Sequence, residues 1–157
     1  MKTILLAMLA FCCMLTFSCK KDSHNPADDL FIGANKKGTN WLVKYPGTIY
    51  TPNKDTLLMH GTKGDEQITL KIPFHGVGTY QLKGDQAIYY TTAGGSAITS
   101  QYQPDTTKTN TLTVTSFYVS TGIVKGNFEL NLKKITGAPT LDNALSFTNG
   151  KLWIELP

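Results

Sequence analysis

Gln67-Ile68-Thr69-Leu70-Lys71-Ile72 alternates polar and apolar residues without a break and stops at Pro73. Asn127-Phe128-Glu129-Leu130-Asn131-Leu132-Lys133 repeats the pattern. Successive side chains leave a strand on opposite sides, so a period of two marks a strand with one face on a core and one in water. Ile68, Leu70 and Ile72 are expected to face inward, as are Phe128, Leu130 and Leu132, on antiparallel strands. Thr69 and Glu129 then point outward. Thr111 to Ser120 is rich in Thr, Val, Phe and Tyr, which suit a pleated surface.

Further strands are expected over 40–45, 57–61, 79–83, 87–92 and 145–156. Turn signals separate them at Pro46-Gly47, Lys63-Gly64-Asp65, Lys83-Gly84-Asp85, Thr121-Gly122 and Asn149-Gly150. Asn149-Gly150 matches a two-residue hairpin loop, which would bend or break the last strand. Thr92 to Asn110, with Gly94-Gly95 and Pro104-Asp105-Thr106-Thr107, reads as a long irregular segment. The fold class is all-β: a two-layer antiparallel β-sandwich or a partly closed barrel of about 8 strands. Alternation cannot choose between the two, because both have one inward face.

The 157-residue chain opens with Lys2 and an uncharged apolar run from Ile4 to Leu15, then turns abruptly polar at Ser18-Cys19-Lys20-Lys21-Asp22. The run is too short to span a bilayer securely and has the length of a signal-peptide core. Three divisions follow: a signal peptide over 1–18, a lipidated Cys19 with a flexible tether over 19–37, and one β domain over 38–157. All three cysteines, Cys12, Cys13 and Cys19, fall in the first 19 residues. Neither a disulfide nor a cysteine nucleophile is available to the domain. The net charge is +4, carried by scattered lysines with no arginine. Nucleic-acid binding calls for clustered basic residues, so no nucleic-acid partner is expected.

Thr16-Phe17-Ser18-Cys19 followed by Lys-Lys-Asp resembles the relaxed lipobox of lipoproteins from Bacteroidota. That resemblance implies diacylglycerol on the Cys19 thiol, cleavage before it, acylation of the new amine with palmitate-type chains, and an outer-membrane location facing the periplasm or the cell surface. Gly38-Thr39-Asn40-Trp41, Gly78-Thr79-Tyr80-Gln81-Leu82, Gly126-Asn127-Phe128-Glu129-Leu130 and the closing Leu145–Leu152 stretch with Thr148-Asn149-Gly150 resemble a Bacteroidota family of small β-sandwich lipoproteins of unknown function. This second likeness implies a β fold and an envelope location, and no active site. Asp55-Thr56-Leu57 and Asp105-Thr106-Thr107 resemble the Asp-Thr acceptor pattern for O-linked glycans on exported proteins of that phylum, which makes Thr56 and Thr106 candidate sites.

Chemistry is thinly supplied. His60 and His75 are isolated, and three converging zinc ligands are not in sight. There is no Gly-x-Ser-x-Gly elbow and no phosphate loop. Glu66, Glu129 and Glu155 are the only glutamates, and the aspartates match no calcium loop. No catalytic residue, metal or cofactor is expected, and the chain reads as a non-enzyme. The aromatic residues are better material. Tyr89-Tyr90 and Phe117-Tyr118 are adjacent pairs, so one member of each must point away from the core. Tyr89, Tyr90, Tyr102, Phe117 and Tyr118 form the candidate binding surface, directed at a glycan or an envelope protein. The alternatives are an accessory structural subunit of an envelope complex and, third, a hydrolase of envelope polymers.

Overall fold

The structure is a computed structural model in which residues 29–51, 53 and 55–157 are described. The expected signal peptide and Cys19 lie outside those residues. Eleven strands follow one another: β1 (Phe31–Lys36), β2 (Thr39–Lys44), β3 (Gly47–Thr51), β4 (Thr56–Lys63), β5 (Glu66–Pro73), β6 (Gly78–Gln81), β7 (Ala87–Ala93), β8 (Ala97–Pro104), β9 (Thr111–Tyr118), β10 (Ile123–Gly137) and β11 (Ala144–Glu155). All pair antiparallel in one sheet, in the order β2-β1-β11-β10-β8-β7-β5-β4-β3, with β9 on β10 and β6 on β9.

The fifteen-residue β10 organises the topology. Its first half, Ile123 to Glu129, pairs with β9, and its second half, Leu132 to Gly137, pairs with β8. The sheet therefore divides at β10 and folds over on itself. The core fills the space between: Ile68, Leu70, Ile72, Phe128, Leu130 and Leu132 are all at most 2% exposed, as their alternation requires. Aromatic contacts tie the layers together. Tyr89 on β7 meets Phe147 on β11 at 5.3 Å between ring centroids, and Trp41 on β2 meets the same ring edge-on at 5.8 Å.

The sheet does not close into a barrel, because its end strands β2 and β3 do not pair. β2 instead lies face-on over β4. A Cβ at Gly61 would stand 3.3 Å from Val43 Cγ2 and 3.5 Å from Trp41 Cη2, so the missing side chain leaves the room that Trp41 and Val43 occupy. Face-on packing wins over edge pairing here.

Three expectations are corrected. Phe31–Lys36, placed in the tether, is β1, paired along its length with both β2 and β11. The domain therefore begins well before residue 38. Thr92–Asn110, expected to be irregular, contains β8, whose inward residues are Ser100, Tyr102 and Pro104 and so carry no aliphatic signal. Asn149-Gly150 is no hairpin loop: both residues lie inside β11, where the register slips against β10 and against β1. Asn149 takes φ 52°, a left-handed conformation that Asn tolerates, and the pair forms a bulge.

Candidate functional site

The adjacent aromatic pairs divide as expected, one in and one out, but the surface they were to form is not assembled. Tyr89 and Tyr102 are 2% and 3% exposed, with rings 5.9 Å apart in the core. Phe117 turns inward and meets Phe74 edge-on at 5.2 Å. Tyr90 faces outward from β7, its hydroxyl donating to Gln67 Oε1 at 2.6 Å. Tyr118, half exposed, faces outward from β9 beside Lys125. Parity splits each pair, and the two outward tyrosines stand on strands of different arms of the sheet.

The remaining candidates are dispersed. His60 is held by Thr69 Oγ1 at 3.1 Å and Thr62 Oγ1 at 3.0 Å. The backbone N–H of His75 donates to the Tyr80 hydroxyl. Among the described residues no three His, Cys, Asp or Glu side chains converge on a metal position. Thr56 is half-buried at the start of β4, whereas Thr106 is exposed on a turn. That turn is fixed by Asp105, which accepts from the Thr107 amide at 3.0 Å and the Thr107 hydroxyl at 2.8 Å. These bonds favour the carboxylate and hold Asp105 below its ordinary value.

At one end of the core the inward faces become polar. Lys36 of β1 bonds Glu66 of β5 and, at 3.1 Å, the Tyr89 hydroxyl. Burial, followed by the nearby Glu66 charge, pushes the Tyr89 phenol far above its ordinary value. Burial, then Asp142, raises Tyr102 in the same direction. Where unfolded tyrosines can ionise and the buried phenol cannot, ionisation favours the unfolded state, and unfolded tyrosines ionise at about pH 10. The contribution is therefore fully present below about pH 10 and is lost as pH rises toward the folded values. Urea midpoints should hold from neutral pH to about pH 9 and fall steeply above pH 10, with a shallower fall in Tyr89→Phe. An alkaline limb unchanged in that variant would remove Tyr89 as its source.

Apolar and cationic groups gather at the surface on the outer face of β2-β1-β11-β10. Register sets the rows. Lys44, Phe31, Trp153 and Lys125 lie side by side across the four strands, and Leu42, Gly33 and Lys151 form the next row. Gly33 has no side chain to fill its place, and a Cβ there would touch Leu42 Cδ1 at 3.0 Å. Two adjoining concavities result. One, of about 400 Å³, is lined by Asp29, Leu30, Phe31, Leu42, Lys44 and Trp153. The other, of about 460 Å³, shares Phe31 and Leu42 and runs on to Asn35, Asn40, Asn149 and Lys151. Lys125 Nζ sits 3.5 Å above the Trp153 ring and 5.7 Å from the Tyr118 ring, each a cation–π distance. Trp153 Nε1 and Asn35 Oδ1 are buried here without a hydrogen-bond partner.

Rings, an aliphatic side chain, amides and ammonium groups bind surfaces and ligands; they do not form an acid–base pair. Phe31 escapes sequence reasoning because β1 is not recognised as a strand, and Leu42, on an expected strand, because its neighbours Phe31 and Gly33 come from that unrecognised one. The signal for Trp153 is legible, since Leu152 and Ile154 on either side are buried.

No curated protein and no solved structure matches the chain. The family model of a domain of unknown function, DUF6252, matches residues 31–153, which is the whole span from Phe31 on β1 to Trp153 on β11, and the chain belongs to that family.

Proposed function

We propose that the chain is an outer-membrane lipoprotein whose β domain works by binding an envelope component (lipid, glycan or protein) and not by catalysis. The anchor rests on the apolar run over 4–15, Ser18-Cys19 and a domain free of cysteine. The observation that carries the binding role is the Phe31–Leu42–Trp153 face. It gathers rings, an aliphatic side chain and three lysines, Lys44, Lys125 and Lys151, around two adjoining surface concavities. The histidines offer less: His60 is engaged by the Thr62 and Thr69 hydroxyls, and His75 bonds Tyr80 through its backbone.

Two measurements test the proposal. Replacing Cys19 by Ala should leave an unprocessed precursor without acyl-dependent membrane retention; normal processing and lipid labelling would remove the anchor. Separately, the chain from Lys20 onward should be retained by isolated envelopes, and Phe31→Ser with Leu42→Ser should reduce that retention at least tenfold while the fold persists. Retention unaffected by both changes would take this face out of the function.

A further inference from the structure

We propose that the Phe31–Leu42–Trp153 face docks on the anionic surface of the bilayer that holds the anchor, so that the domain lies against the membrane instead of standing off it. This rests on the lipid-anchor reading and names the partner for that same face.

The first argument is position. Asp29 and Leu30 line the concavity themselves and lead directly into Phe31. Phe31 is 12 steps along the chain from Cys19, so the two cannot stand more than about 43 Å apart even when the chain is fully extended. A surface tied that closely to its partner meets it at high effective concentration, so a contact too weak to hold the free domain suffices.

The second argument is composition. Trp, Tyr and Phe rings beside lysines are the side chains that settle at the level of lipid headgroups, with stems and rings in the apolar zone and ammonium groups among phosphates. Lys44, Lys125 and Lys151 share the face with Asp29, Glu129 and Glu155, so the attraction comes from the ammonium groups set in rows beside the rings and not from a net charge. Each lysine that reaches an anionic surface changes affinity by roughly fivefold, and each carboxylate carried to it opposes that gain. The apolar surface also continues past the rows toward the end of the strands where the chain from Cys19 joins. Tyr45 follows Lys44 and is 62% exposed, with its amide bonded to the Leu30 carbonyl. Tyr118 and Val119 are 51% and 80% exposed beyond Lys125.

The third argument separates lipid from glycan. A sugar ring recognised by stacking needs an open aromatic face, and Lys125 stands 3.5 Å above that of Trp153. A headgroup phosphate meets the same ammonium without displacing it.

The test uses the chain from Lys20 onward, which retains every described core residue from Ile32 to Ile154 and has no anchor. It is sedimented with protein-free vesicles of phosphatidylcholine alone or mixed with phosphatidylglycerol. Binding is expected only to the mixed vesicles, weakening as salt rises, with a blue shift of Trp153 emission. Lys44→Glu with Lys151→Glu should weaken binding at least tenfold, and adding Lys125→Glu should abolish it. The pair without Lys125 leaves the Trp153 packing intact, and an unchanged denaturation midpoint certifies the fold. Equal binding by the charge variants, or none by the parent, overturns the inference. Retention by envelopes without binding to vesicles overturns it too, while leaving the binding role standing with a glycan or protein as partner.

Discussion

Replacing Trp41 by Ala should lower the free energy of unfolding by about 3–5 kcal/mol, the range for removing a fully buried large aromatic side chain. Trp41 is 1% exposed and stands where the two layers meet, edge-on to Phe147 and over the vacant position of Gly61. The loss combines transfer of the indole to water with a void that β2 and β4 cannot close, since each is held by its own hairpin partner. Because net stability of a domain this size is itself about 5–15 kcal/mol, the variant should lie close to the limit of folding. Trp41→Phe is the informative companion. Its indole nitrogen has no hydrogen-bond partner, so a phenyl ring forfeits no bond and only part of the volume. It should cost roughly 1–2 kcal/mol. Urea or guanidinium midpoints with unchanged slopes measure both. A Trp41→Ala cost below about 1 kcal/mol would mean that β2 does not pack over β4.

The central strands were legible because their environment is simple. β5 is covered on one face and wet on the other, and its sequence alternates accordingly. The strands that escaped have less simple surroundings. β1 reads Phe-Ile-Gly-Ala-Asn-Lys: its inward residues are Ile32, Ala34 and Lys36, while outward Phe31 and Gly33 belong to the surface shelf, so the period of two disappears. β3 is an end strand whose most apolar residue, Ile49, points outward at 60% exposure. β8 fills its inward positions with Ser, Tyr and Pro. The candidate site fails for a related reason. Adjacency shows that Tyr89 and Tyr90 must separate, but which one is outward depends on the register of β7 against β5 and β8, which is set by distant residues. The shelf itself combines residues from β1, β2 and β11, at opposite ends of the chain, and exists only after those strands pair. Its exposed apolar groups are what hid β1 from pattern reading.

Gly150→Ala should destabilise the domain by about 3 kcal/mol, at the upper end of what a single inserted methyl group costs in a packed interior. As a hairpin residue Gly150 would be required for a positive φ, and Ala would be penalised through the backbone. In the bulge its φ is not in that range, whereas Asn149 carries the left-handed conformation. The requirement at Gly150 is steric. A Cβ there would lie 2.4 Å from the Phe128 carbonyl oxygen and 2.6 Å from its ring carbons, across the β10–β11 pair where Phe128 opposes Gly150. Neither partner can yield easily: the Phe128 ring is 2% exposed, and β11 is clamped between β10 and β1. Two companion variants separate the causes. Asn149→Gly relieves only the backbone and should be neutral or slightly stabilising. Phe128→Leu in the Gly150→Ala background removes the ring clash but keeps the carbonyl clash, so its cost should be smaller than the sum of the two single changes. Full additivity would show that the methyl group and the ring do not meet. A Gly150→Ala variant as stable as the parent would mean that Gly150 and Phe128 do not oppose each other, and the β10–β11 register that carries Trp153 into the row with Phe31 and Lys125 would fall with that contact.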